Sequence, residues 1–177
     1  MAKPRAFGRA RSPANKRPER SPLGDAVALL ARRSRTESEL RVALSSRHES
    51  TAVDAAIARL NVLGYLDDAS WARHYVDGRR ARGRGAILLR RELARHGVSA
   101  ELSELVLGGR DERDLALTVA QTRLRALAGL DREQRYRRLA GFLSRRGFAS
   151  DVVTATLHDV LDGGREAGAT EEMLGQG

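Results

Sequence analysis

Residues 86–97 read AILLRRELARHG, and two other segments of the chain repeat their leucine spacing and their ending. These segments are ESELRVALSSRH (37–48) and YRRLAGFLSRRG (136–147), so the similarity recurs about every fifty residues. Leu89 and Leu93 are spaced by one helical turn, which places them on one face of a helix. The matching leucines are Leu40, Leu44, Leu139 and Leu143. Because a short helix cannot bury its apolar face alone, this recurrence indicates tandem helical units that pack in a row.

Residues that start and stop helices divide the chain into nine predicted helices. Thr36 and Glu39 form a T-x-x-E capping box, in which a side-chain oxygen accepts from a backbone N–H that lacks a helical partner. Further N-caps are predicted at Ser50, Asp67, Ser99, Asp111, Asp131 and Ser150. Glycine tolerates the left-handed conformation that ends many helices, and it marks predicted stops at Gly64, Gly97, Gly108, Gly129, Gly147 and Gly163. The three matching segments are then the middle helices of three units.

The composition favours an all-α fold. The chain is 41% hydrophobic but only 4% aromatic, so its core must consist mainly of Leu, Val, Ile and Ala, which suits packed helices. We predict three tandem three-helix repeats that form an elongated array, at residues 25–67, 68–107 and 108–162. Residues 1–24 contain all four prolines, and their seven basic side chains face one acidic residue. We therefore predict a flexible, disordered basic arm at residues 1–24 and a flexible acidic tail at residues 163–177.

Several classes of function are disfavoured by residues that the sequence lacks. The chain has no cysteine, so it offers no disulfide, thiolate metal site or cysteine nucleophile. Its four histidines form no close pair at helical ligand spacing, and no Ser-His-Asp motif or phosphate-binding loop occurs. We predict no enzyme, no metal and no cofactor. No apolar run is long enough for a membrane span, and the basic N-terminus does not resemble a secretory signal, so we expect a cytoplasmic protein without membrane contact.

Arginine clusters in the second and third units are the candidate binding residues. Residues 79–95 contain seven arginines opposed by Glu92 alone, whereas basic and acidic groups balance in the first unit. Because arginine binds phosphate and carboxylate bidentately, we predict an interaction surface; the alternative is a solvated face. The second-unit candidates are Arg79, Arg80, Arg82, Arg84, Arg90, Arg91 and Arg95. The third-unit candidates are Arg132, Arg135, Arg138, Arg145 and Arg146.

The segment GYLDDASWARHYVDGRRARGRGAILLRRELARHGV (64–98) resembles the RecX family, the regulators of the RecA recombinase. The resemblance rests on the G-Y-L-D-D start, an aromatic followed by Ala72, the arginine-rich helix end, Gly85, and the E-L-x-x-x-G ending at Gly97. It implies a curved array of three-helix units that binds in the groove of the RecA filament. Family members commonly have a glycine where His48 stands and basic residues near Ile87 and Leu88. The histidine suggests a less tightly closed turn, and the two apolar residues remove charge from a helix that would otherwise face DNA.

Two features of the opening of this segment have alternative interpretations. Asp67 and Asp68 are interpreted as helix-capping residues that also meet the positive end of the helix dipole, since no further ligand completes a metal site. Trp71 and Tyr75 lie one turn apart and are interpreted as core residues between the first two units. The alternative for these aromatic residues is stacking on a nucleic-acid base, which requires an exposed ring.

These observations predict a non-catalytic, monomeric regulator in DNA repair and homologous recombination. As the resemblance implies, it would bind the RecA filament, and through its arginines single- and double-stranded DNA without sequence specificity, and so inhibit filament extension, ATP hydrolysis and strand exchange. One alternative is a stand-alone helical DNA-binding module, although its third helices are poor in base-reading side chains. Another is a scaffold that binds no nucleic acid.

Overall fold

A computed structural model describes the backbone of residues 21–79 and 81–174 and the side chains of these residues up to position 162. Within these ranges the chain forms nine α-helices and no β-strand, which confirms the all-α prediction. The helices are α1 (Pro22–Leu30), α2 (Glu37–Ser45), α3 (Ser50–Val62), α4 (Asp68–Asp77), α5 (Ala86–Arg95), α6 (Ala100–Leu107), α7 (Glu112–Arg125), α8 (Arg132–Arg145) and α9 (Ser150–Leu174).

Each consecutive set of three helices has its own apolar core. The middle helices α2, α5 and α8 supply the paired leucines, and all six side chains are at most 1% exposed. The first core adds residues of α1 and α3, the second residues of α4 and α6, and the third residues of α7 and α9. The predicted leucine register is therefore confirmed, and the three units follow one another in a row.

The first helix begins earlier than the sequence predicted. The side chain of Ser21 accepts from the N–H of Gly24 at 3.2 Å, and Pro22 is the first helical residue. Proline is tolerated there because a first-turn N–H has no helical partner to lose. The predicted start near Asp25 is thus wrong by one turn, since the Ser-Pro pair is itself a helix start signal. Residues 1–20 of the predicted arm lie outside the described residues, and its flexibility stays a prediction.

Most predicted N-caps have the expected hydrogen bond. The side chains that cap their helices, each accepting from the N–H three residues on, are Thr36, Asp67, Ser99, Asp111 and Asp131. Ser50 and Ser150 were wrongly predicted as caps, because each is already the first helical residue. Glu49 precedes α3 without a side-chain cap bond, and the carbonyl of Ala149 accepts the first helical bond of α9.

The predicted glycine stops divide into two groups. Gly64, Gly97 and Gly147 have φ values of 72°, 79° and 84°, so they end their helices in the left-handed conformation. Gly108 follows α6 in a right-handed conformation, and Gly129 has no positive φ. Gly163 lies inside α9, so the predicted stop there is wrong. Glycine is permitted within a helix, where local sequence cannot distinguish it from a stop. The flexibility of residues 163–177 stays a prediction.

The first and second units meet where the C-terminus of α5 reaches the N-terminus of α2. The hydroxyl of Thr36 donates to the carbonyl of His96 at 2.6 Å, and Nδ1 of His96 lies 2.8 Å from Oε1 of Glu39. Burial raises the pKa of Glu39, but hydrogen bonds from His96 and Arg33 outweigh it and hold this pKa below its ordinary value. A Cβ on Gly97 would overlap the side chain of Ser38, so only glycine fits this contact.

The second and third units meet in the same way, through the C-terminus of α8 and the N-terminus of α5. The N–H of Gly85 donates to the carbonyl of Arg146 at 2.8 Å, and the N–H of Ile87 donates to the carbonyl of Gly147 at 3.0 Å. A Cβ on Gly147 would overlap Leu88. The middle helices are therefore arranged end to end, and the two glycines permit the close approach.

A carboxylate from the following unit completes each junction. Oδ1 of Asp68 accepts from the N–H of Glu37 at 2.9 Å, and Oε2 of Glu112 accepts from the N–H of Ala86 at 2.9 Å. Both carboxylates come directly after the residue that caps their own helix. Burial raises the pKa of Asp68, and repulsion from Glu37 and Asp67 adds to this, while the Glu37 hydrogen bond opposes it. Asp67 caps α4 as predicted, but the hydrogen bond of Asp68 caps α2 of the preceding unit.

His48 takes the place of the junction glycine in the first unit. No unit of the described chain packs against this end of α2, so neither a positive φ nor a close approach is required there. The helix ends in a right-handed turn at Ser46, and Nε2 of His48 lies 3.0 Å from Oδ2 of Asp25. A histidine is therefore compatible with this helix end.

Candidate nucleic-acid interface

The predicted arginines separate into two groups. One group has an intramolecular partner and consists of Arg84, Arg90, Arg132, Arg135 and Arg146. The other group is exposed and has no hydrogen-bond or ion-pair partner among the described residues; it consists of Arg79, Arg82, Arg91, Arg95, Arg138 and Arg145. We call this second group the unpaired arginines. Arg80 lies outside the described residues.

Arg84 belongs to the second unit's own structure. Its guanidinium pairs with Glu92, a half-buried carboxylate that also accepts from the hydroxyl of Tyr75 at 3.1 Å. The carbonyl of Arg84 accepts from the guanidinium of Arg110 at 3.1 Å. Removing the Arg84 charge would leave the Glu92 carboxylate without its cation in a poorly solvated position. Reversing Arg84 together with its neighbours would therefore test stability as well as binding.

Arg90 is held across the surface of the second unit. Its Nε and Nη2 donate to the two carboxylate oxygens of Glu104 on α6, at 2.5 and 2.9 Å. The first unit has a similar contact, in which Arg41 of α2 pairs with Asp54 of α3. Both pairs are exposed, so each contributes little to stability. Arg90 can still reach a ligand, but only by exchanging the Glu104 carboxylate for another anion.

Arg146 connects the third unit to the loop between α4 and α5. Its Nη1 donates to the carbonyl of Gly83 at 2.9 Å, and its guanidinium lies 4.7 Å from the centre of the Phe142 ring. The loop also contains Arg79 and Arg82. The structure thus brings the arginine cluster of the third unit next to that of the second, while it places Arg146 itself in an intramolecular contact.

The other paired arginines of the third unit lie near its outer end. Arg132 pairs with Asp162 of α9, and Arg135 donates to the carbonyl of Ala128 at 2.6 Å. The sequence shows how many charges are present but not which of them meet a partner on another helix. The unpaired arginines of the middle helices are the best candidates for a ligand, because no internal contact has to break.

The unpaired arginines on α5 and α8 form one pair on each helix and match at one position of the repeat. Arg91 and Arg95 are one helical turn apart, and Arg138 and Arg145 are two turns apart, so each pair lies on one helical face. Arg95 and Arg145 occupy the same position in their units, two residues before the junction glycine. Because α5 and α8 meet end to end, the row of middle helices carries unpaired arginines in both the second and the third unit.

A cluster of aromatic rings lies beside the junction of the first and second units. The Trp71 and Tyr75 rings stack with centres 5.1 Å apart, and the His96 ring lies 4.8 Å from Trp71. Both aromatic side chains are partly buried against the core of the second unit, as the core interpretation predicts. They also line a cavity of about 520 Å³ together with Tyr65 of the G-Y-L-D-D start and with Arg35, which no sequence motif indicated.

Other kinds of site are not observed in the described part of the chain. No group of three His, Asp or Glu side chains there is arranged to hold a metal ion. No helix among the described residues is long and apolar enough to cross a membrane.

Three family models match the chain in succession. The first three-helix domain of RecX matches residues 23–60, the second matches residues 67–107, and the third matches residues 111–157. The chain belongs to the RecX family. The three matched domains follow one another in this chain, so the resemblance seen in residues 64–98 extends to all three units.

Individual relatives agree with this assignment. The chain is 33% identical to the regulatory protein RecX of Streptomyces coelicolor over 167 residues, which cover 89% of this chain and 87% of the relative. It is 34% identical to the regulatory protein RecX of Chlorobium phaeobacteroides, over 77% of this chain and 91% of the relative. The crystal structure of RecX from Lactobacillus salivarius has the same fold, with a TM-score of 0.71, 19% identity, and coverage of 80% and 94%. The protein is thus a member of a family of regulatory proteins.

Proposed function

We propose that this protein regulates a RecA recombinase by binding its filament on DNA. Binding restrains filament extension, ATP hydrolysis and strand exchange. The observation that carries the proposal is the combination of the three-unit RecX architecture with a series of unpaired arginines on the second and third units. Family membership supports the regulatory role, and the arginines supply the groups that bind phosphate or carboxylate.

The end-to-end arrangement of the middle helices supports binding to a polymer. These helices contain 9, 10 and 14 residues. At 1.5 Å per residue they represent about 50 Å of helix, longer than a compact domain of this size would offer along one side. An extended row of units can contact more than one subunit of a filament, so a single molecule can restrain movement between neighbouring subunits.

The stand-alone DNA-binding module is the alternative function. Its third helices would enter the major groove, yet the exposed side chains of α6 include Glu101 and Glu104. Glu104 is also held by Arg90. Carboxylates repel phosphate and make few contacts with base edges, so α6 is poorly suited to sequence-specific recognition. The observations therefore favour contact with a DNA-bound filament.

DNA-dependent ATP hydrolysis by RecA is the direct test of the proposal. We expect the purified protein to reduce the steady-state rate in a concentration-dependent manner, and to reduce it more when it is added before the filament has formed. A variant with all six middle-helix leucines replaced by alanine, which we expect not to fold, serves as the control. An unchanged rate at protein concentrations that saturate the filament would refute the proposed regulation.

Charge reversal of α5 tests the contribution of the unpaired arginines. Replacing Arg91 and Arg95 by Glu should change stability by about 0.5 kcal/mol or less per site, because both side chains are exposed. The slope of log affinity against log salt for single-stranded DNA should fall by about 0.7 for each phosphate contact that is lost. Fluorescence anisotropy with a labelled oligonucleotide at several salt concentrations measures this slope.

The matched control reverses Arg47 and Arg59 in the first unit. Both are exposed and have no partner among the described residues, so this variant changes the net charge by the same amount. Its salt slope should stay close to that of the parent protein. Equal slopes for both variants would mean that α5 provides only net charge, and the assignment of this surface would be wrong.

A further inference from the structure

A cavity of about 520 Å³ opens beside the junction of the first and second units. It is lined by the loop between α1 and α2, the loop between α3 and α4, and the first two turns of α4. The side chains that give it its chemical character are Arg35, Tyr65, Asp67, Trp71, His74 and Tyr75. Its volume lies in the range of pockets that hold a small organic group.

On the aromatic side of this cavity, the Trp71 ring is held in place by its neighbours, whereas the Tyr65 ring is exposed. Trp71 stacks on Tyr75, and the hydroxyl of Tyr75 donates to Glu92, which Arg84 holds in place. The position of the Trp71 ring is therefore set by the second unit before any ligand arrives. Tyr65, by contrast, is 61% exposed, so its ring is accessible to a ligand. A flat ring bound here would contact aromatic surface that is already in position.

Arg35 adds a positive charge to the cavity. Its Nε is buried but has no hydrogen-bond partner among the described residues. The guanidinium as a whole is only partly buried and has no hydrogen-bond or ion-pair partner among the described residues, so its accessible part can bind an anionic oxygen. An aliphatic side chain of a protein partner would fill the cavity but leave the Arg35 charge without an anion. The combination of aromatic rings with an arginine matches a planar base that is joined to a phosphate.

Asp67 limits where the phosphate can lie. Its Oδ1 accepts from the N–H of Ser70 at 2.8 Å, and this hydrogen bond holds the pKa of Asp67 below its ordinary value. The carboxylate therefore repels a phosphate placed against α4. Arg35 comes from the loop between α1 and α2, on the first unit's side of the cavity. The phosphate is thus expected at Arg35 and the base at the aromatic rings.

We propose that this cavity holds one unpaired base of a single-stranded nucleic acid, stacked on the aromatic side chains, with its phosphate at Arg35. The inference deepens the proposed function, on which it rests for the presence of DNA. The phosphate contacts of the unpaired arginines depend on salt. The proposed site would add a contact with a base, and this contact depends on stacking. The two kinds of contact can be measured separately.

Trp71 is the only tryptophan in the chain, so its fluorescence reports directly on the cavity. A twenty-nucleotide thymidine oligonucleotide should quench this fluorescence, because a stacked base contacts the indole ring or its neighbour. An abasic oligonucleotide of the same length should bind about 5- to 150-fold more weakly and leave the fluorescence unchanged. Thymidine monophosphate should produce little quenching at the same nucleotide concentration, since it lacks the additional phosphate contacts of the strand.

Two tyrosine variants make the test specific. Tyr65→Ala should bind the thymidine oligonucleotide about 5- to 150-fold more weakly, with its circular dichroism spectrum unchanged because the ring is exposed. Tyr136→Ala is the matched control: this residue on α8 is 46% exposed and lies outside the cavity lining. Its affinity and its quenching should equal those of the parent protein.

Three of the outcomes that would overturn the inference come from the comparisons above. They are equal quenching by the abasic oligonucleotide, parent-like affinity of Tyr65→Ala, and quenching by thymidine monophosphate or by RecA without DNA that exceeds quenching by the strand. The last would assign the cavity to a free nucleotide or to a protein partner. The proposed function fails separately: an oligonucleotide that binds with the expected salt slope but does not quench Trp71 refutes only the base site, whereas unaltered ATP hydrolysis by RecA refutes the regulation.

Discussion

Replacing Leu93 by alanine is expected to lower the free energy of unfolding by about 2–5 kcal/mol, which is the usual cost of removing a fully buried leucine side chain. The side chain of Leu93 is 0% exposed and lies in the core of the second unit with Leu89 and Val98. This core is small because three short helices form it, so one leucine provides much of its apolar contact. Urea denaturation followed by circular dichroism measures the change.

Ile87 provides the control within the same helix. Its side chain is 38% exposed and faces away from the buried leucines, so Ile87→Ala removes less buried surface. We expect its effect on the free energy of unfolding to be well below that of Leu93→Ala. If the two substitutions have equal effects, the core of the second unit does not depend on the leucine register described above.

Replacing Gly147 by alanine is expected to weaken the junction between the second and third units. The left-handed conformation of this residue, with φ of 84°, costs a non-glycine residue about 1–2 kcal/mol. A Cβ there would also overlap the backbone and side chain of Leu88, so one helix end has to move away from the other. The N–H groups of Gly85 and Ile87 would then lose their acceptors, the carbonyls of Arg146 and Gly147. Their amide hydrogen exchange should become faster than in the parent protein.

A substitution at Gly64 distinguishes the cost of the left-handed conformation from the cost of the overlap with Leu88. Gly64 has a similar φ of 72°, but a Cβ there would meet nothing within 4 Å. Gly64→Ala should therefore show the conformational cost alone, while Gly147→Ala should show a larger loss of stability and faster exchange at the junction. Equal losses of stability, with unchanged exchange at Gly85 and Ile87, would show that the close approach of the helix ends contributes nothing.

The fold class and the core positions were predictable because both depend on local sequence. The spacing of Leu89 and Leu93 selects the buried face of α5 whatever covers that face. Asp67 caps α4 through an N–H only three residues away, so its partner is visible in the sequence. Predictions failed at some helix ends, as at Pro22 and Gly163, where several residue types are compatible with either continuing or ending a helix.

The candidate site was predictable only as a region rich in arginine. Whether a guanidinium is available depends on which carboxylate or carbonyl packs beside it, as the Glu92 partner of Arg84 and the Gly83 partner of Arg146 show. The cavity beside Trp71 likewise requires Arg35, which lies on another unit of the fold. Tertiary packing sets these contacts, because the residues involved come from separate helices or loops.

Asp68 shows most directly that local sequence does not determine the contacts between units. The sequence places it at the start of α4, where any carboxylate favours the positive end of the helix dipole. Its hydrogen bond instead goes to the N–H of Glu37 in the preceding unit, and Glu112 repeats the arrangement at the next junction. Residue types and periodicity are enough to specify helices and their buried faces, since those follow from interactions within a few residues. The joining of one unit to the next depends on backbone groups left unpaired at helix ends, and only the packed structure brings their partners within hydrogen-bond distance.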